Sequence, residues 1–159
     1  MKVPPKILIS DSAYCIATWD RVLLQIWRQE VTAEAVENLR RIGKAFVYES
    51  REPVSTLSIV ESTSPAPSDK LRGALSAFYR ELAPQMKEQI VVAEGSGFRA
   101  ALVRSVGLAL SAVAPKSLPF KFVGGVEEAA ILIRPHLSAN AGGVAGLQEA
   151  IKSVRDQMR

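Results

Sequence analysis

Histidine and cysteine are almost missing from this chain, which has one of each, His136 and Cys15, in 159 residues. Zinc sites and histidine-based nucleophilic machinery need several such side chains, so those chemistries have almost no material here. A lone cysteine cannot close an internal disulfide, which makes a reducing, cytoplasmic setting the expectation. Long apolar runs are missing as well. The longest apolar helical candidate, residues 98–113, carries Arg99 and Arg104 and is too short to span a bilayer. No block of one charge occurs either. The 20 basic and 16 acidic residues are scattered and leave a formal net charge of +4, which favours solubility and gives no footprint for nucleic acid. The opening Met1-Lys2-Val3-Pro4-Pro5-Lys6 is polar and proline-broken, unlike a secretory signal.

With 48% hydrophobic and 23% charged residues, the composition is that of an ordinary globular domain. Residues 12–19 alternate, Ala13, Cys15, Ala17 and Trp19 on one face and Tyr14, Ile16 and Thr18 on the other. After Asp20-Arg21, residues 22–27 resume as strand formers, so the two runs predict a β-hairpin. Thr32 opens a helix whose stripe is Val36, Leu39, Ile42 and Phe46, and Pro53 ends it. A strand over 54–60 and a loop over 61–67 follow. Ser68-Asp69 starts a second helix, with stripe Leu71, Leu75, Phe78, Tyr79 and Leu82. Residues 89–93 read as a buried strand. Gly95-Ser96-Gly97 turns into a third helix, with Phe98, Ala101, Leu102, Ser105, Val106, Ala109, Leu110 and Val113 as its apolar face. A last strand at 120–123, a Gly124-Gly125 turn and a helix from Val126 to about Leu137 complete a β-β-α-β-α-β-α-β-α order. Such alternation predicts an α/β fold with a mixed, mostly parallel sheet covered by helices, the hairpin forming its antiparallel edge.

Residues 138–143 are small and flexible, and divide the chain into a body over 1–137 and a tail over 138–159. In the tail Val144, Leu147, Ile151, Val154 and Met158 repeat at three and four like a short coiled-coil seam. Two heptads cannot stand alone. The seam must cover itself on the body, as most terminal helices do, or on a partner; in the second case it is the candidate partner-binding helix, through a protein partner or self-association.

The element order, ending in Phe122-Val123-Gly124-Gly125-Val126-Glu127-Glu128-Ala129, resembles the STAS domains of bacterial anti-sigma-factor antagonists over about residues 7–137. It also resembles the small-ligand-binding proteins that share their fold. The resemblance implies a regulatory or binding role without catalysis. Regulatory STAS domains carry an Asp-Ser-Ser-Gly-like motif whose serine is phosphorylated. The corresponding stretch here is Ser62-Thr63-Ser64-Pro65-Ala66-Pro67-Ser68-Asp69, which keeps hydroxyls but lacks the glycine, so the kinase switch does not carry over residue by residue.

Ser62, Ser64 and Ser68 are the candidate phosphoacceptors, against the plainer reading of Ser68 as a helix cap and the others as loop decoration. Gly95, Ser96, Gly97 and Arg99 match G-x-G-x-x-A and could bind an anion at a helix N-terminus. The acid that holds ribose in a dinucleotide site is absent from Phe122-Val123-Gly124-Gly125, and a tight turn explains the glycines better. Cys15 reads as a buried small hydrophobe, His136 as a cation suiting a helix end, and Glu127-Glu128 as acids opening a helix. No catalytic constellation, metal site or cofactor is expected. The expectation is a non-enzymatic cytoplasmic regulatory or scaffold module acting through protein contacts. The alternative is a binder of an apolar or anionic small molecule, marked by a pocket between sheet and helices lined by Trp19, Trp27 or Phe98.

Overall fold

Asp20 sets the first turn. Its φ of 51° is the only positive value among the described non-glycine residues, and a short polar side chain tolerates that conformation. Its carboxylate is held by the Ser138 backbone N–H (2.9 Å) and hydroxyl (2.5 Å). The turn joins β2 (Tyr14–Trp19) to β3 (Val22–Trp27) as an antiparallel hairpin with Trp19 opposite Val22. A computed structural model describes residues 3–158, apart from the side chains of Phe98 and Arg99.

One strand precedes the hairpin: β1 (Lys6–Ser10) pairs antiparallel with β2 at the sheet edge. The chain then alternates α1 (Ala33–Glu49), β4 (Val54–Val60), α2 (Asp69–Leu82), β5 (Met86–Ala93), α3 (Gly97–Val113), β6 (Phe120–Val123), α4 (Val126–Ile133) and α5 (Gly143–Gln157), with 3-10 turns at Ala83–Gln85 and Arg134–His136. The six strands lie in sequence order, and those from β3 to β6 are parallel. This is the expected α/β sheet with its antiparallel edge, extended by one strand. Residues 6–10 alternate between exposed and half-buried, so they carry no strong apolar signal.

Right-handed crossovers between neighbouring parallel strands put every connecting helix on one face. Accordingly α1, α2 and α3 cover one face of the sheet through Leu39, Phe78 and Val106, while α4 and α5 cover the other through Ile133, Leu147 and Val154. The tail is therefore part of the core. Leu147, Ile151, Val154 and Met158 are buried against the chain's own sheet and Val144 packs beside them, so this seam is not an open partner-binding face.

The inner side of α3 matches the expected face only in part: Val106 and Leu110 are buried as expected and Val103 joins them, whereas Ala101, Leu102, Ser105, Ala109 and Val113 are exposed and the Phe98 side chain lies outside the described residues. Alanine and leucine run around most of this helix, so spacing alone does not single out its inner side.

Candidate functional site

Strands buried on both faces normally read as uninterrupted apolar runs. On the side facing α1–α3, the central strands break that rule with Gln25 on β3, Thr56 and Ser58 on β4, and Gln89 on β5, all buried. The parallel register places Gln25 beside Ser58 and Thr56 beside Gln89. A directed hydrogen-bond chain results. The Thr56 hydroxyl donates to Gln89 Oε1, Gln89 Nε2 donates to Ser58 Oγ (2.9 Å), and Ser58 Oγ donates to Gln25 Oε1 (2.9 Å).

Trp27 Nε1 also donates to Gln25 Oε1, at 3.4 Å. An indole N–H is only a donor, so it fixes which end of the Gln25 amide is oxygen. The Nε2 end is left without a hydrogen-bond partner among the described residues, although the side chain is only 1% exposed. A buried amide N–H without an acceptor costs about 1–3 kcal/mol.

Gln25 lines a cavity of about 70 Å³ between the sheet and the inner sides of α2 and α3. Trp27, Ser58, Val91, Leu75, Tyr79 and Val103 form much of the wall, and Ser64, Pro65 and Pro67 of the loop after β4 lie along it. Burial pushes the Tyr79 phenol up to about 12, the Ser58 hydroxyl pulling the other way, so it stays neutral. Tyr14 stacks on Trp27 with ring centroids 5.4 Å apart and fixes the indole. The space is mainly apolar with one polar wall. It is much smaller than the roughly 300–1,000 Å³ of nucleotide- or drug-sized sites.

The loop after β4 is tied down from behind. Thr63 Oγ1 donates to the Arg28 carbonyl (2.5 Å) and Ser64 Oγ to the Gln29 carbonyl (2.8 Å). Ser64 is fully buried, so the folded protein does not offer its hydroxyl to a kinase. Ser68 caps α2, accepting from Leu71 N at 3.4 Å, while Ser62 is exposed. The three candidate phosphoacceptors thus have three different environments, and only Ser62 is both exposed and outside a cap.

At the carboxyl ends of β3, β4 and β5, charges alternate. Arg28 grips Glu61 through two nitrogens (2.5 and 3.2 Å), and Arg155 of α5 reaches Glu61 (3.2 Å) and both oxygens of Glu94 (2.9 Å each). This chain ties the last helix to the strand ends. Gly95 and Gly97 follow directly with φ of 94° and 77°, so the turn demands glycine for its conformation. The Ser96 side chain makes no capping bond, the Arg99 side chain lies outside the described residues, and the nearest charge along the chain, Glu94, is acidic.

On the opposite face His136 is more than a cation at a helix end, since its Nε2 stands 2.8 Å from Oε2 of Glu88, a buried carboxylate on β5. Burial raises the Glu88 pKa above the usual carboxylate range, opposed by His136, then Lys121, Ser55 and Lys87. Cys15 is buried as expected, and desolvation lifts its thiol to about 11. Trp19 packs on the α4–α5 face, away from the cavity, and donates to the Val3 carbonyl at 2.9 Å. Among the described residues no cluster of His, Cys, Asp and Glu could hold a metal, and no helix is long and apolar enough to cross a membrane.

Of the candidate site residues named from the sequence, Trp27 and Ser64 line the cavity, and the Phe98 side chain lies outside the described residues. Leu75, Tyr79, Val106 and Leu110 line it too, named from the sequence only as helix stripes. Gln25, Ser58 and Gln89 were not singled out. Their one signal was a polar residue on the inward period of a strand, as in Val22-Leu23-Leu24-Gln25-Ile26-Trp27. Comparison with family models, with curated proteins and with solved structures finds no match to this chain.

Proposed function

We propose that the protein is a non-catalytic module that binds a small, largely apolar molecule between its sheet and α2–α3. The carrying observation is the cavity lined by Trp27 and by Gln25, whose buried Nε2 is left without a partner. This was the second of the two readings expected from the sequence. The first, action through protein contacts, drew on the tail seam, which is used internally. The resemblance to STAS domains and their ligand-binding fold relatives supports a non-enzymatic role, and the bias toward a cytoplasmic regulator rests on it.

The test is stabilisation by a compact hydrocarbon. Methylenecyclopentane at ten times its Kd should raise the melting temperature by about 3–6 °C. Val91→Phe, which fills the cavity from β5, should abolish the rise while leaving the fold intact by circular dichroism. No rise in the wild-type protein, or an equal rise in Val91→Phe, would refute this function.

A further inference from the structure

The direction of the buried hydrogen-bond chain selects among ligands, and the inference rests on the binding function proposed above. The chain starts at the Thr56 hydroxyl, runs through Gln89 and Ser58, and ends at Gln25 Oε1. Of its members' buried side-chain atoms, the Gln25 Nε2 amino group is the one left without a partner among the described residues. Trp27 Nε1, which can only donate, converges on the same Gln25 oxygen and holds that end of the amide toward the indole. Gln25 lines the cavity, and its Nε2 is the end of the amide left without a partner.

We infer that the ligand is a small uncharged molecule bearing a hydrogen-bond acceptor oxygen, a carbonyl or ether, which meets Gln25 Nε2 while its apolar body packs on Trp27, Leu75, Val91 and Val103. An anion is disfavoured: no lysine or arginine is among the described residues that line the cavity, and an unpaired buried charge costs far more than one amide returns. A purely apolar ligand would leave the N–H groups unmet. A site built to bond a polar atom discriminates against the analogue lacking it, because its own buried group then goes unpaired.

The experiment compares cyclopentanone with methylenecyclopentane, two molecules of nearly one shape with and without the carbonyl oxygen. Kd values are measured for both on the wild type and on Gln25→Met, which keeps the bulk and removes the donors. The ratio of the two affinities should move against the ketone by about five- to tenfold in Gln25→Met, as expected for one hydrogen bond to a buried partner. Methylenecyclopentane binding to the variant reports that its cavity is intact. Should Gln25→Met not fold, the wild-type Gln25 side-chain NH2 resonances decide: they should shift downfield with the ketone and not with the hydrocarbon. An unchanged affinity ratio, or no downfield shift, overturns the acceptor requirement while leaving the binding function standing. Failure of both ligands to bind the wild type overturns the two together.

Discussion

Glu88 shows how a single residue can be held against its own preference. Its carboxylate is buried on β5, and the His136 imidazole 2.8 Å away offsets the lost hydration only in part, so its pKa stays above the ordinary range. An acid whose pKa is higher folded than unfolded binds its proton more tightly in the native state. Stability is therefore lost as pH rises from about 4.3, the ordinary glutamate value, through the folded value, and the loss persists above it. Glu88→Gln does not titrate and can still meet His136 and Ser55 with an amide. Its melting temperature should match the wild type near pH 4 and exceed it increasingly towards neutrality. A variant less stable than wild type at pH 7 would show that the ion pair outweighs its burial. None of this was legible in the sequence. His136 looked like a helix-end cation because its partner lies on a strand far away in the chain. The same limit hid Gln25, Ser58 and Gln89, whose meaning depends on the register between β3, β4 and β5 rather than on neighbours in sequence.

Among the elements, the helices with one clear apolar stripe were legible and the helix without one was not. Val36, Leu39 and Ile42 of α1, Leu75, Phe78 and Leu82 of α2, and Leu147, Ile151 and Val154 of α5 are all buried as their spacing implied. In α3 the small and apolar residues surround the axis; of the face read from spacing Val106 and Leu110 are buried, and tertiary packing added Val103 and left the rest of that face exposed, apart from the undescribed Phe98 side chain. Packing also decides the meaning of glycines. Gly146 lies inside α5, where a Cβ would meet the Ala141 carbonyl oxygen at 2.1 Å and the Trp19 ring at 3.4 Å. Backbone cannot yield cheaply there, so Gly146→Ala should destabilise the protein by about 1–3 kcal/mol, exceeding the ~1 kcal/mol that alanine brings to a helix. Gly73, in the exposed part of α2, has nothing within 4 Å of that position. Gly73→Ala should instead stabilise by about 1 kcal/mol. Urea unfolding of the two variants should give opposite signs; the same sign for both would contradict the described packing of α5.

For the molecule as a whole, the order of elements and the mixed sheet were readable from periodicity, since neighbouring parallel strands and right-handed crossovers leave few alternatives. Spacing did not fix the surface on which the tail settles, since five apolar residues at heptad spacing suit a sheet or a partner; the body was the reading favoured for a terminal helix, and it is where the tail lies. The structure seats them on the open face beside α4 and fastens the end through Arg155 to Glu61 and Glu94. Leu147→Ala should therefore cost about 2–5 kcal/mol. The fall in melting temperature should be the same at every protein concentration, with no change of mass by light scattering; a concentration-dependent fall would place the seam between chains.

The space between the sheet and α2–α3 is the one proposed for a ligand. Its apolar character can be read without knowing that ligand, by diffraction from crystals pressurised with xenon, which enters dry apolar cavities. The account predicts a xenon atom in contact with Trp27, Leu75, Val91 and Val103. Crystals that diffract well under pressure and take up no xenon there would contradict it.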